Sequence, residues 1–290
     1  MKGMATKEMQ GATPKTVEGQ RMSPRTTTIW LWLTAPIAVL ITIAAGSELL
    51  IQGIFHGDTP YFVTQAIGQD VVTLVVALPT LVIGAILASR SYERGRLVWL
   101  GALVYLVYTY VISAFVVRFN PLFLIYVALL GCSLYALIGG LATTDFAGIK
   151  ARFTGRTPAK AASIFLGVMA ILFYFVWLSE DIPALIAGNV PRSVMENGTP
   201  TNAVHVLDMA WILPAMILAA VWLWRKRAIG YTLAGALLTF LALLPLAIMS
   251  MVVAMWLDGQ TATVAPAALF GILSAISLGM LAWYLRGLRE

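Results

Sequence analysis

Eight apolar runs, most of them about twenty residues long or more, leave this chain few ways to fold. They cover approximately residues 29–51, 66–89, 97–117, 121–142, 161–182, 204–224, 229–256 and 265–285. A helical run of about 20 residues crosses a hydrocarbon layer of roughly 30 Å. Within that layer every backbone N–H and C=O must be paired inside the protein, which leaves only helices and closed barrels. Continuous apolar runs, without the alternation of barrel strands, select helices. The composition agrees: 60% of residues are hydrophobic and 11% charged, against about 25% charged in a soluble domain. The expected fold is all-α, a polytopic membrane protein with eight transmembrane helices, and its first partner is the lipid bilayer.

With eight crossings the connections alternate sides, and the basic residues sort sharply between them. The side of the N-terminus carries Lys2, Lys7, Lys15, Arg21, Arg25, Arg90, Arg94, Arg96, Lys150, Arg152, Arg156, Lys160, Arg225, Lys226, Arg227, Arg286 and Arg289. Only Arg118 and Arg192 fall on the other side. Positive charge accumulates on the cytoplasmic side, so both termini are expected in the cytoplasm, and the net charge of +6 reads as a topology signal rather than a nucleic-acid surface. All nine tryptophans lie near run boundaries, where an amphipathic ring reaches the headgroups. Residues 1–27 are polar and read as a disordered cytoplasmic tail; the first apolar run is too long for a cleaved signal core. The single cysteine, Cys132, excludes an intramolecular disulfide and reads as a small packing residue.

Two segments, 28–142 and 161–286, look like copies of one four-helix unit joined by a cytoplasmic linker over 143–160. Ser47-Glu48 matches Ser179-Glu180, and Gly57 with Pro60 matches Gly188 with Pro191. Pro79, Arg90 and Gly95 match Pro214, Arg225 and Gly230 at one common offset of 135. Gly131 and Gly139 match Gly271 and Gly279, positions where a missing side chain permits close helix contact. Each unit holds an even number of spans, so the expected arrangement is a 4+4 parallel internal repeat about an axis along the membrane normal. Pro79 and Pro214 are expected to kink the second helix of each unit.

The acids gather on the outer side, as do both histidines, His56 and His205. Glu48 and Glu180 sit near the outer ends of the first and fifth runs, where a carboxylate opposes the helix dipole. Their presence in both units suggests a compensating cation, proton or buried partner, and makes them candidates for ion or proton binding. Asp70 and Asp208 are expected to open the second and sixth helices, where an aspartate is a favoured cap; they join the candidates as neighbours of the two glutamates. His205 and Asp208, three residues apart, share a helix face if the helix starts early enough. With Glu180 they could offer metal ligands, but the spacing is common and no metal site is assigned. The outer segment from Pro183 to Ala203 is rich in turn residues and apolar enough to fold over the helix ends as a lid. Within it Asn197-Gly198-Thr199 has the form of a glycosylation triplet, although Asn-Gly is first a turn. Basic residues of the linker are placed to meet anionic lipid headgroups. No phosphate-binding glycine loop, nucleophile elbow, zinc-protease motif or nucleotide fingerprint occurs, so no cofactor is implied.

The run from Ser179-Glu180 through Pro191-Arg192-Ser193-Val194, Asn197-Gly198-Thr199-Pro200-Thr201-Asn202 and Val204-His205-Val206-Leu207-Asp208 to Leu213-Pro214-Ala215 resembles a pattern recurring in bacterial multi-pass inner-membrane proteins. That family carries no assigned activity. The resemblance implies a bacterial inner membrane and no reaction, cofactor or catalytic residue, while drawing Glu180, His205 and Asp208 together. The expected function is a small secondary transporter or a proton- or cation-coupled carrier of a small solute. Glu48 and Glu180 would be its acceptors, and Asp208 with His205 its outer gate. An outer-leaflet enzyme acting on a lipid or quinone through Glu180, His205 and Asp208 is the alternative, as is a non-catalytic subunit of a complex.

Overall fold

The computed structural model describes residues 29–51, 53–260 and 263–290, so the polar tail expected over 1–27 lies outside the described residues. Eight helices among them are long and apolar enough to cross a membrane: α1 (Ile29–Leu50), α2 (Pro60–Ser89), α3 (Glu93–Phe115), α4 (Phe123–Ala142), α5 (Ala159–Ala187), α6 (Ala203–Trp224), α7 (Ala228–Leu257) and α8 (Ala265–Arg286). The chain is an all-helical, multi-pass integral membrane protein. Shorter helices at Phe146–Arg152 and Arg192–Asn197 lie between α4 and α5 and between α5 and α6.

Three helix ends differ from expectation, and each difference moves a candidate residue. α2 starts at Pro60, not near residue 66, because Thr59 caps it by accepting the Phe62 amide at 3.2 Å and Pro60 takes the first helical position. Asp70 is therefore three turns inside the helix and caps nothing. α6 starts at Ala203 under Asn202, whose side chain accepts the His205 amide at 3.1 Å. Asp208 likewise stands inside its helix. α5 runs through Pro183 to a left-handed Gly188, so Glu180 lies two turns from the helix end and, unlike Glu48, does not oppose a terminal dipole.

α3 and α7 form the centre. In α3 72% of the most apolar window is buried within the protein and in α7 56%, against 22% for the peripheral α8. The two cross backbone to backbone. A Cβ on Gly101 would lie 2.3 Å from the Ala236 carbonyl oxygen, and one on Gly235 would lie 2.8 Å from Leu97. α2 closes onto α7 at Gly68, where a Cβ would stand 2.6 Å from the Met251 Cα. Single polar bonds tie the outer ring to this centre. Trp99 of α3 donates to Thr34 of α1 at 2.9 Å, and the Tyr284 hydroxyl of α8 donates to the Tyr231 carbonyl of α7 at 2.9 Å. Trp99 is thus a buried anchor, not the headgroup ring its position suggested, whereas Trp32, Trp224, Trp256 and Trp283 are exposed.

The prolines of α2 and α6 act through widened turns. Residues Thr73–Ala77 and Asp208–Ile212 form π-helical turns directly before Leu78-Pro79 and Leu213-Pro214. The wider turn gives room at the carbonyl that a proline ring would otherwise strike. The hairpins after α2 and α6 match in detail. Ser91 (φ 66°) and Lys226 (φ 55°) both take the left-handed conformation. The Tyr92 amide donates to the Leu87 carbonyl at 3.0 Å, and the Arg227 amide to the Trp222 carbonyl at 2.8 Å. Gly95 and Gly230 then let the next helix pass against the backbone at Ala88 and Leu223. The other two matched pairs of glycines follow the expectation of close helix contact only in part. Gly139 receives the Trp30 ring and Gly271 abuts Met249, while Gly131 and Gly279 face open space.

Gly101→Val should therefore destabilise the protein strongly, by about 3 kcal/mol or more on the scale of core overpacking. Gly131→Ala should leave thermal unfolding in detergent within a degree or two of wild type. Equal melting of the two variants would remove the α3–α7 crossing as the packing centre.

Candidate functional site

At the end of the bundle away from the chain's C-terminus, a cleft of about 290 Å³ opens between residues of α1–α3 and residues of α5–α8. Glu48, Asp70, Glu180 and His205 all line it. Four of the five candidates read from the sequence thus meet at one place. Asp208 does not: it borders a separate small void of about 30 Å³ beside the cleft, with Tyr108, Trp177 and Pro245.

Glu48 stands in the last turn of α1 and is almost fully buried. The Tyr126 hydroxyl of α4 donates to its carboxylate. Tyr126 accepts in turn from the Asn120 side-chain amide at 3.4 Å, and the Asn120 oxygen accepts the Leu122 amide at 2.8 Å. The Asp70 carboxyl of α2, equally buried, lies beside that of Glu48. Its Oδ2 has no hydrogen-bond partner among the described residues. Two carboxyls from different helices are therefore held side by side, one oriented by a hydroxyl and one with an oxygen to spare.

Facing them, Glu180 accepts the Ser193 amide at 2.9 Å, and its other oxygen lies 3.9 Å from His205 Nε2. His205 turns away from Asp208 and pairs with Asp181, whose oxygens are 3.0 and 3.1 Å from Nδ1. The Trp177 ring packs on the imidazole with centroids 4.4 Å apart and donates its indole N–H to Asp208 at 2.9 Å. The second Asp208 oxygen is turned toward the Tyr108 hydroxyl, and neither atom has another hydrogen-bond partner among the described residues. The His205–Asp208 gate expected from spacing is thus replaced by a Glu180–His205–Asp181 chain. Its two carboxylates sit on opposite ring nitrogens, so they do not converge on one point as metal ligands must. No group of three or more candidate metal ligands occurs among the described residues.

The two basic residues at this end are engaged elsewhere. Arg192 pairs with Glu196 at 2.6 Å. Arg118 packs on Gly57 and gives its amide to Asp58 at 3.3 Å; burial pushes the Asp58 carboxyl up, and the Arg118 amide and charge draw it back. Among the described residues no lysine or arginine lines the cleft. The walls supply aromatic and apolar surface from Phe62, Tyr61, Ile112, Leu244 and Phe270. The segment before α6 contributes Ser193, Asn197, Thr199 and Asn202, forming one wall rather than a cover. Asn197 donates to the Ser193 carbonyl at 2.7 Å and accepts from Gln65 at 3.1 Å, an internal role at odds with a free glycosylation acceptor.

Sequence reading missed Tyr126, Asn120, Asp181, Trp177 and Tyr108. Asp181 was readable as the neighbour of Glu180; Asn120 looks like an ordinary turn residue before Pro121, and Tyr126, Trp177 and Tyr108 sit in apolar runs where nothing marks which ring turns inward. Compared with family models, curated proteins and solved structures, the chain finds no match.

Trp177→Phe should remove the indole hydrogen bond that holds buried Asp208 and cost about 1–3 kcal/mol. Adding Asp208→Leu should restore most of the loss, because removing both partners is nearly neutral. Thermal unfolding of the single and double variants in detergent reads this directly.

Proposed function

We propose that the protein is a small secondary carrier that exchanges protons for a cationic solute through the cleft between its two halves. The observation that carries this reading is the gathering of Glu48, Asp70, Glu180 and His205 around one solvent-open cleft that no lysine or arginine lines among the described residues. Acids at membrane depth are costly and mark ion or proton pathways. A cation entering the cleft meets uncompensated carboxyls, and the aromatic walls suit a cation with an apolar body. The Glu48–Asp70 pair is the proton-carrying element. Two carboxyls side by side are best matched by one shared proton, which leaves as the cation arrives.

The matching hairpins support descent of both halves from one four-helix unit. At the hairpin offset of 135, Asp70 stands where His205 stands, so each half would place one glutamate and one titratable partner on the cleft. The charge asymmetry supports a bacterial inner membrane with both termini cytoplasmic and the acidic cleft outside. It is in keeping with the resemblance to bacterial multi-pass proteins.

In proteoliposomes carrying a lumenal pH dye, outside addition of tetramethylammonium and larger organic cations should move protons. Glu48→Gln combined with Asp70→Asn should reduce that signal at least tenfold, to about the level of losing an essential acid–base group. Undiminished proton movement in the double variant would end the proposal.

The orientation is tested separately after Cys132→Ala. A cysteine at Thr199 should react with a membrane-impermeant maleimide on intact spheroplasts, and one at Ser91 only after lysis. The reverse pattern would invert the topology.

A specific geometry favours one second reading. His205 has Nδ1 fixed by Asp181 and Nε2 toward the cleft, the orientation of a general base, so outer-leaflet chemistry on a lipid or quinone would use this residue. Conversion of an added lipid extract, abolished by His205→Gln, would favour it over transport.

A further inference from the structure

A second cleft, of about 710 Å³, lies at the opposite end of the bundle between the start of α3, the segment after Phe153 and the end of α8. Its lining includes Arg94, Arg156, Arg286 and Arg289, with Trp283 beside them. We infer that this cleft binds a phosphate-bearing anion, presented as the headgroup of an anionic phospholipid in the adjoining leaflet.

The walls are fixed before any ligand arrives. The Thr154 amide donates to the Gly287 carbonyl at 2.9 Å, and the Arg289 amide to the Arg152 carbonyl at 3.0 Å, so the linker and the C-terminal residues form a short bridge. Leu288 is fully buried with Leu97 and Ile149 below this bridge. The Glu290 carboxylate accepts the Glu93 and Arg94 amides at 2.8 and 3.1 Å, fastening the tail to the first turn of α3. Arg94 donates to the Leu288 carbonyl and stands 3.4 Å from Glu290.

The remaining three guanidiniums are uncompensated. Arg156, Arg286 and Arg289 make no ion pair or side-chain hydrogen bond among the described residues. Glu290, the acid nearest to hand, is already occupied by Arg94 and two amides. Arginines cannot lose their charge to relieve the repulsion, so the cleft lacks an anion. A phosphate matches the planar fork of guanidinium donors. A lipid fits better than a free ion because half-exposed Trp283 stands at the cleft, and the same face of that helix carries exposed Ile276 and Ile272, along which an acyl chain can lie. Basic pockets beside transmembrane helices take anionic headgroups in this way.

The test uses full-length protein in neutral detergent, with retained lipid read by native mass spectrometry after incubation with phosphatidylglycerol or phosphatidylcholine. Arg156→Gln, Arg286→Gln and Arg289→Gln are combined in one variant. Arg225→Gln, Lys226→Gln and Arg227→Gln form a control of equal charge loss at the same end but outside the cleft. The cleft variant should lose phosphatidylglycerol about tenfold or more while the control keeps it. Equal loss in both, or equal retention of phosphatidylcholine by wild type, would overturn the site. Displacement of the lipid by millimolar inorganic phosphate would keep the anion site but overturn the lipid as its occupant. If the triple variant does not elute as a single species, Arg289→Gln alone must still weaken retention, and wild-type retention there would refute the site.

Discussion

Gly101 and Gly235 let α3 and α7 touch backbone to backbone, and the other six helices are placed by that crossing. Both glycines lie near the ends of their helices that carry the α2–α3 and α6–α7 hairpins, where Gly95 and Gly230 bring the partner helices equally close. At that end the bundle is shut. Toward the other end, α3 and α7 offer Ile112, Val116, Leu244 and Ile248 to an open cleft instead of to one another. The π turns of α2 and α6 fall between the two regimes. Because a π turn shifts the register of the residues beyond it, each helix can serve the tight hairpin below and the polar cleft above.

Electrostatics decides which acids are structural. A carboxylate at the C-terminal turn of α1 opposes the helix dipole by about 0.3–1 kcal/mol. A hydrogen bond to a charged group is worth about 1.5–3 kcal/mol, so the Tyr126 hydroxyl more than offsets the dipole for Glu48. Asp58 accepts the Arg118 amide and Glu196 pairs with the Arg192 guanidinium, and neither arginine lines the cleft. Asp70, with an unpartnered oxygen, and Glu180, whose second oxygen is 3.9 Å from His205, are what is left to meet a ligand.

The span count was legible because apolar run length is set by the membrane and needs no tertiary information. Helix ends were less so. Residues 60–65 (Pro-Tyr-Phe-Val-Thr-Gln) look too polar to begin a span, yet Thr59 caps them and Gln65 bonds Asn197 across the cleft wall. Pro183 reads as a terminator, yet α5 passes through it. Both errors misplaced acids relative to helix ends: the first turned buried Asp70 into an expected cap, and the second set Glu180 against a helix-end dipole it does not meet. The site itself was half legible: charge among apolar runs marked Glu48, Asp70, Glu180 and His205, but partner choice depends on helix rotation. Spacing joined His205 to Asp208, while rotation joins it to Asp181 and gives Asp208 to Trp177.

The two ends of the bundle differ in the kind of neutrality available to them. Around the acidic cleft sit carboxyls and an imidazole, groups that gain or lose a proton and so can pass between a liganded and an unliganded state without leaving bare charge. Around the basic cleft sit guanidiniums, which hold their charge at any pH the cell reaches. Neutrality there can come only from a bound anion that stays. On the proposed reading, exchange would belong to the end with titratable groups and lipid anchorage to the end without them. The tight α3–α7 crossing at Gly101 and Gly235 separates the basic cleft from the cleft between α1–α3 and α5–α8, so the two kinds of charge are kept at opposite ends of one packed centre.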